Sequence, residues 1–262
     1  IAERLASLAG ERLDALAANE SIDVTFPAPP LRRGHAHVLS QVRHELEVIF
    51  ERIGYGVEEG PEIETDWYNF EALNLPKGHA SRDVQDTFFL DPEEEVVLRT
   101  HTSPVQIRGM ERIGSPPIYI VAPGRVYRRD NLDATHLPYF MQLEGLAVDE
   151  GLTVGDLKGT LLYMVQSIFG SERQVRMRPH HFGYTEPSYE FDTICGRCLG
   201  KGCRSCGNAG WLETGGCGMV HPQVLRNGGV APERYAGYAW GLGIDAMADL
   251  NYDVDARRPF YD

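Results

Sequence analysis

Basic residues are scarce in this chain. Lysine and arginine number 25 against 38 aspartates and glutamates, leaving a formal net charge of −13. A protein that grips nucleic acid through phosphates needs a basic surface. This chain alone is therefore a poor free-standing nucleic-acid binder, and if it handles a polyanion, another segment or subunit supplies most of the positive charge. Long apolar runs are missing as well. No stretch approaches the roughly 18 residues of a membrane span, which excludes a transmembrane helix. No basic segment leads into an apolar one, so no signal peptide is visible, and no internal repeat stands out. Cysteine is limited to five residues. Four of them, Cys195, Cys198, Cys203 and Cys206, lie within twelve positions. Paired Cys-x-x-Cys steps without an export signal read as metal ligands before disulfides, and the cytoplasm is the expected compartment. A chain that opens on Ile1 rather than Met is expected to continue upstream.

What remains is ordinary for a soluble globular protein: 42% hydrophobic and 24% charged residues over 262 positions, enough for one large α/β-type domain with a buried core. Leu5, Leu8, Leu13 and Leu16 suggest an N-terminal helix over 1–19, the end of a possible coiled arm, although Gly10 and the short length weaken it. Phe26-Pro27-Ala28-Pro29-Pro30 is a linker that no helix crosses. The domains expected are thus 1–30, helix and linker, and 31–262. Leu39, Val42, Leu46, Ile49 and Ile53 step by three and four and predict a long helix from about His35 to Ile53, ended by Gly54 and Gly56. A second helix is predicted from Thr153 to Phe169, opened by a Thr153/Asp156 capping box. Strands are predicted at Val96–Arg99, Ile118–Ala122, Gln142–Asp149 and Val175–Pro179. Alternating polarity and few β-α-β steps point to an α+β fold on an antiparallel sheet flanked by helices.

Six clusters carry chemistry. Gly124-Arg125-Val126-Tyr127-Arg128-Arg129-Asp130, a polar loop through His136, and Phe140-Met141-Gln142-Leu143-Glu144-Gly145 read as a hairpin. Period-2 spacing puts Phe140, Gln142 and Glu144 on one face. That face offers an aromatic plate for a base and a carboxylate for an ammonium, while Arg128 on the paired strand can fork onto a phosphate. On the pattern alone, an exposed hairpin with scattered charges fits equally well. In Thr100-His101-Thr102-Ser103-Pro104-Val105-Gln106, a lone His beside hydroxyls is most often structural. Phe182 and Tyr184, two apart, would point the same way from a strand and could grip a phenyl ring, or they could be a core pair. Glu186 follows them. Gly215-Gly216-Cys217-Gly218 lets backbone approach a ligand closely, and Gly237 to Ala246 is a glycine-rich strand running into a helix. Finally, Cys195-x2-Cys198-x4-Cys203-x2-Cys206 supplies four thiolates for one closed tetrahedral Zn²⁺ at the tip of a hairpin, an insertion over 194–210. A reduced Gly/Cys loop without metal is the alternative, with an iron–sulfur cluster behind it.

Taken in order over residues 22–262, these motifs resemble the catalytic domain of the alpha subunit of bacterial phenylalanyl-tRNA synthetases, a class II aminoacyl-tRNA synthetase core. The resemblance implies phenylalanine activation by ATP with Mg²⁺, then transfer to tRNA(Phe), by an alpha2-beta2 tetramer dimerised through the helix that begins near His35. It implies Arg128 and His136 as catalytic residues, with Asp130 and Phe140 completing the ATP site. It implies His101, Ser103, Gln106, Gln142, Glu144, Phe182, Tyr184 and Ala239 around the amino acid, Glu186 on Mg²⁺, and Cys217 as a free thiol. Two departures stand out. The family carries a Phe-Pro-Phe run where this chain has Phe182-Gly183-Tyr184. It also places an arginine for the γ-phosphate after the acidic residue of its third motif, where this chain has Asp245 and then Ala246. A synthetase-like paralogue that binds or activates an aromatic amino acid without charging tRNA, or a non-catalytic partner protein, would suit those departures.

Overall fold

The computed structural model describes residues 1–19, 34–79, 82, 87–91, 93, 95–129, 137–252 and 260–261. By its contacts the chain divides at His35/Ala36, where the sequence placed the boundary at residue 30. The first unit holds one helix, α1 (Ala2–Asn19), with Leu5, Leu8, Leu13 and Leu16 exposed. The proline linker lies outside the described residues.

The second unit is built around a seven-stranded sheet. The predicted helix near His35 forms as α2 (Val38–Glu51), opened by His37, whose Nδ1 accepts from Leu39 N. Its apolar stripe of Leu39, Val42, Leu46, Ile49 and Phe50 is buried. Helix α2 leads to β1 (Gly56–Val57), β2 (Ile63–Thr65), the single turn α3 (Asp66–Asn69), and the short strands β3 (Phe89–Asp91) and β4 (Val96–Leu98). Helix α4 (Pro104–Ile113) precedes the long strands β5 (Ile118–Tyr127) and β6 (Tyr139–Asp149). Then follow α5 (Val154–Phe169), β7 (Val175–Phe182), β8 (Thr185–Ile194), β9 (Trp211–Val220), α6 (Pro222–Asn227), β10 (Ala236–Gly243) and α7 (Ile244–Tyr252). The large sheet runs β1-β5-β6-β10-β9-β8-β7, and β2-β4-β3 form a small second sheet. All pairs are antiparallel except β1 with β5. This is the α+β architecture expected, with the cysteine segment between β8 and β9. The strands outrun the sequence prediction because Pro123, Gly124 and Pro179 stay in strand register despite their poor strand preference.

Strand periodicity sorts the core into two layers. Val121, Leu143, Ala147, Tyr238, Trp240 and Leu242 face α2, α5 and α7. Ile118, Ile120, Leu146, Val148 and Ala239 face α4 and α6, where Ile107, Met110, Val224 and Leu225 cover them. Helix α5 starts at the predicted capping box, with Thr153 and Asp156 side chains each bonded to the other's backbone N–H. Inside the first layer, Tyr238 Oη lies 3.0 Å from Tyr55 Oη and 2.9 Å from Thr160 Oγ1, so three hydroxyls satisfy one another in the core.

Trp240, 2% exposed, stacks on Phe50 at 4.6 Å and lies opposite Gly145. A Cβ at Gly145 would sit 2.3 Å from the indole. Gly145→Ala is therefore expected to destabilise the unit by about 1–3 kcal/mol through overpacking. Urea unfolding measures this, and unchanged stability would show that the ring shifts freely.

Candidate active site

The site lies on the α4/α6 side of the sheet, just past the end of the apolar layer. Along β6 the row Leu146, Glu144, Gln142 alternates with the strand's other face, and β10 sets Ala239, Gly241 and Gly243 opposite these three. Strand β9 continues the row with Gly218 and Gly216. Small residues replace apolar ones here, so a hollow of about 280 Å³ opens where the core would otherwise continue. Any larger side chain at these glycines would crowd the lining. A Cβ at Gly241 would come within 3.0 Å of Glu144 Cγ, and one at Gly216 within 2.9 Å of the Phe182 ring.

Glu144 is the buried charge of the hollow, 5% exposed. Its Oε2 accepts from Ser103 Oγ at 2.6 Å and from Gln106 Nε2 at 2.7 Å. Both donors belong to the start of α4, whose free N–H groups and dipole favour a negative charge. Burial raises the Glu144 pKa, and the bonds from Ser103 and Gln106 oppose that rise. Gln142 also lines the hollow, and its Oε1 is buried without a hydrogen-bond partner among the described residues. Buried acceptors are normally satisfied, so this oxygen is suited to a ligand N–H or O–H.

Arg128 lies on one wall. Its Nε donates to the Thr100 carbonyl at 3.0 Å, and its guanidinium sits 5.1 Å from the Phe140 ring centroid. Phe140 also lines the hollow, placing a cation and an aromatic plate side by side. Strand β6, which carries Phe140, is pinned by Asp245: this fully buried carboxylate accepts from Met141 N at 2.8 Å and from Tyr261 Oη.

Opposite stand Phe182 and Tyr184, their rings stacked at 5.5 Å and 7° apart. The expectation of a shared strand needs correction. Strand β7 ends at Phe182, and Gly183 and Tyr184 form the turn into β8. The rings align because the turn folds Tyr184 back over Phe182, and both line the hollow. Tyr184 is half-buried, and desolvation raises its pKa, as does the nearby Glu144 charge.

Of the residues singled out in the sequence, Ser103, Gln106, Arg128, Phe140, Gln142, Glu144, Phe182, Tyr184 and Ala239 all meet in this one hollow. His101 does not line it. It sits behind the wall with its ring centroid 6.4 Å from Phe70 and 6.5 Å from Tyr184. Burial, then the charges of Arg128 and Arg99, push its pKa down to about 3, so it is neutral. Glu186 also stands outside, its side chain 78% exposed and 3.7 Å from His221 Nε2. Asp130 and His136 fall outside the described residues. Ala246 is half-buried in the first turn of α7, beside Gly243 of the wall. Among the described lining residues Arg128 is the only cation. Sequence reading missed Leu73, Thr214 and Val224, apolar or small lining groups that no motif marks. Cys217 lines the hollow as a buried thiol, its pKa pushed up to about 12 by burial.

The four clustered cysteines form a separate centre that could hold a metal. Their Sγ atoms all lie within 4.8 Å of one another, with separations of 3.8, 3.8 and 3.7 Å for 195/203, 198/206 and 203/206. Tetrahedral sulfurs about 2.3 Å from a zinc ion would be roughly 3.8 Å apart. Backbone N–H groups of Gly202, Cys203 and Gly210 point at the sulfurs of Cys198 and Cys206 at 3.2 Å, as thiolates prefer.

Residues 21–262 match the family of tRNA synthetases class II core domains (F). The phenylalanine-tRNA ligase alpha subunit of Symbiobacterium thermophilum is 53% identical over 259 residues, covering 98% of this chain and 75% of that protein. Its counterpart in Bacillus pumilus is 50% identical over 262 residues, covering 100% and 76%. Among solved structures, the pyrrolysyl-tRNA synthetase of Desulfitobacterium hafniense shares the fold, with a TM-score of 0.64 at 17% identity, over 99% of this chain and 80% of that one. With about half of its residues in common with those ligase subunits over nearly its whole length, the chain belongs to the phenylalanine-tRNA ligase alpha-subunit family of class II tRNA synthetases.

Proposed function

We propose that this chain activates phenylalanine with ATP and passes the acyl group to tRNA(Phe), as the catalytic alpha subunit of a ligase that also contains a beta subunit. The observation that carries the reading is the hollow itself. It joins a buried carboxylate, two stacked aromatic rings and a cation beside an aromatic plate in about 280 Å³. The amino group of the substrate would sit on Glu144 and Gln142, within reach of Ser103 and Gln106. Its phenyl ring would lie against Phe182 and Tyr184 over Ala239, where a larger side chain would fill the floor. Arg128 would meet the α-phosphate and Phe140 would stack on adenine, with Asp130 and His136 assigned to ATP by the family resemblance. The attacking group is the substrate's own carboxylate. No side-chain nucleophile is needed, and catalysis rests on positioning and on charge neutralisation at phosphorus. His101, neutral behind Tyr184, supports the wall of the amino-acid site and adds no competing charge.

Mg²⁺ would enter with the nucleotide, neutralising phosphate charge, and Glu186 would offer it a single oxygen; a hard ion that keeps phosphate and water ligands requires little more from the protein. The Cys195, Cys198, Cys203 and Cys206 centre is assigned a structural Zn²⁺, on the spacing of its sulfurs and the absence of an open position. The assembly proposed is two alpha and two beta chains in the cytoplasm, with α2 at a subunit contact. No helix among the described residues is long and apolar enough to cross a membrane. The missing motif 3 arginine favours a second reading, in which the chain binds the amino acid and ATP but activates poorly.

Amino-acid-dependent ATP-pyrophosphate exchange decides between the two. The chain is expected to support exchange with phenylalanine in preference to tyrosine. Glu144→Gln should lower kcat/KM for the amino acid by roughly 10- to 100-fold, the loss of one charge-assisted bond, and Ala246→Arg should raise the rate. Exchange seen only after Ala246→Arg would establish the second reading, and exchange indifferent to Glu144→Gln would remove Glu144 from the amino-acid site. Metal analysis is expected to find one zinc per chain, lost in Cys203→Ser together with thermal stability; full stability without metal would refute the structural role.

The buried neutral His101 gives a stability test. Its folded pKa lies below its unfolded one, so its contribution is complete above about pH 6.5. It is lost as pH falls toward about 3, because only the unfolded chain takes up the proton. In urea unfolding between pH 6.5 and 4.5, His101→Gln should flatten the pH dependence by up to about 1.4 kcal/mol per pH unit. Equal slopes for parent and variant would mean that His101 titrates normally in the fold.

A further inference from the structure

The segment between β8 and β9 inverts the charge of the molecule around it. Residues 195–212 contain Arg197, Lys201 and Arg204 and no acidic residue, in a chain whose net charge is −13. All three basic side chains are exposed, and among the described residues no ion pair joins Lys201 or Arg204 to a carboxylate. Between them Leu199 projects with 57% exposure, on a backbone at φ +48° that branched side chains seldom adopt. A solvated surface turn gains nothing from an exposed leucine held in the left-handed region, whereas an apolar knob flanked by cations suits a partner that offers both flat apolar faces and anions.

The segment is rigidly mounted. Arg173, in the connection between α5 and β7, packs its guanidinium against Gly196 and donates to the Ile194 carbonyl at 3.2 Å. Arg176 lies 4.6 Å over the ring of Trp211, where the segment rejoins the sheet. The mounting also ties the segment to the active site. Strand β9 begins at Trp211, and its Thr214, three residues on, already lines the hollow. At roughly 3.3 Å per residue, the base of the cysteine segment stands about 10 Å along the strand from the wall of that hollow.

We propose that the cysteine segment is a docking surface for the acceptor end of tRNA, with Lys201 and Arg204 on backbone phosphates and Leu199 against a base or ribose face. This inference rests on the ligase reading above, since an RNA whose terminal ribose reaches the hollow must pass its neighbouring phosphates close by. An acidic, otherwise phosphate-repelling surface makes a local basic patch the more consequential for where that strand runs.

The test uses the ligase assembled with its partner subunit, comparing the parent with the Lys201→Ala/Arg204→Ala double variant. Three quantities are read: phenylalanine-dependent exchange without tRNA, equilibrium binding of tRNA across a salt series, and zinc content. Exchange and zinc should be unchanged. Affinity for tRNA should fall by about tenfold at low salt, and the slope of log K against log salt should shrink by about 2, one for each phosphate contact removed. Leu199→Ser should weaken binding without changing that slope. Unchanged tRNA affinity and slope with intact exchange overturn the docking surface while leaving the ligase reading in place. Loss of zinc along with affinity would mark the basic groups as counter-charges of the thiolates, and weakened assembly with unchanged tRNA binding would mark a protein contact; either outcome overturns the proposal. A parent without exchange refutes the ligase reading itself.

Discussion

A carboxylate shut inside a protein demands compensation, and the arrangement around Glu144 supplies it. Taking an ionised carboxyl out of water costs several kcal/mol unless donors replace the lost solvent. Here the replacements come from a different element, the first turn of α4, through Ser103 Oγ and Gln106 Nε2. That requirement fixes α4 relative to β6, and α4 in turn covers Ile118, Ile120 and Leu146 through Ile107 and Met110. One side of the core is thus organised by the same contact that prepares the site. The compensation is incomplete, since the pKa of Glu144 stays raised and, among the described residues, Gln142 Oε1 beside it lacks a partner. A ligand with an ammonium group would complete both.

The second constraint is the absence of side chains. A row of Gly216, Gly218, Ala239 and Gly241 across β9 and β10 leaves the floor of the hollow open, while the same strands present Trp240 and Leu242 to the opposite layer. One sheet therefore supports a packed core on one face and, a few residues farther along, a ligand-sized space on the other. The rings of Phe182 and Tyr184 border that space, and Phe182 rests on Gly216.

Much of this was legible beforehand, and the reasons differ by residue. Period 2 put Phe140, Gln142 and Glu144 on one face, and the strand bears that out because β6 pairs without a bulge on both sides. The Thr153/Asp156 box and the stripe of α2 are local signals, so tertiary context did not disturb them. The cysteine spacing sufficed to bring four sulfurs together. Where reading failed, the cause was non-local. The turn at Gly183-Tyr184 resembles strand in composition, and only the β7–β8 pairing shows that the chain reverses there. His101, assigned to the amino acid, is buried beside Phe70 and Tyr184 and does not line the hollow, a depth that no one-dimensional pattern encodes. Leu73 and Val224 line the hollow from distant segments and carry no motif. The fold was readable because helices and strands announce themselves by period, whereas the back wall of a site is set by which segments arrive from far away.

The pinning of Met141 by Asp245 bears on how the chain finds its structure. A strand that slides by one residue presents its other face. In β6 such a slip would carry Phe140, Gln142 and Glu144 away from the hollow and send Met141 and Leu143 into it. Backbone pairing alone discriminates poorly between the two alignments. The buried Asp245 carboxylate, satisfied by the N–H of Met141 and the hydroxyl of Tyr261, penalises the wrong one with a stranded charge. An acidic residue at the start of α7 therefore acts as a proofreading element for the hairpin, and it can do so whatever side chain follows it at position 246.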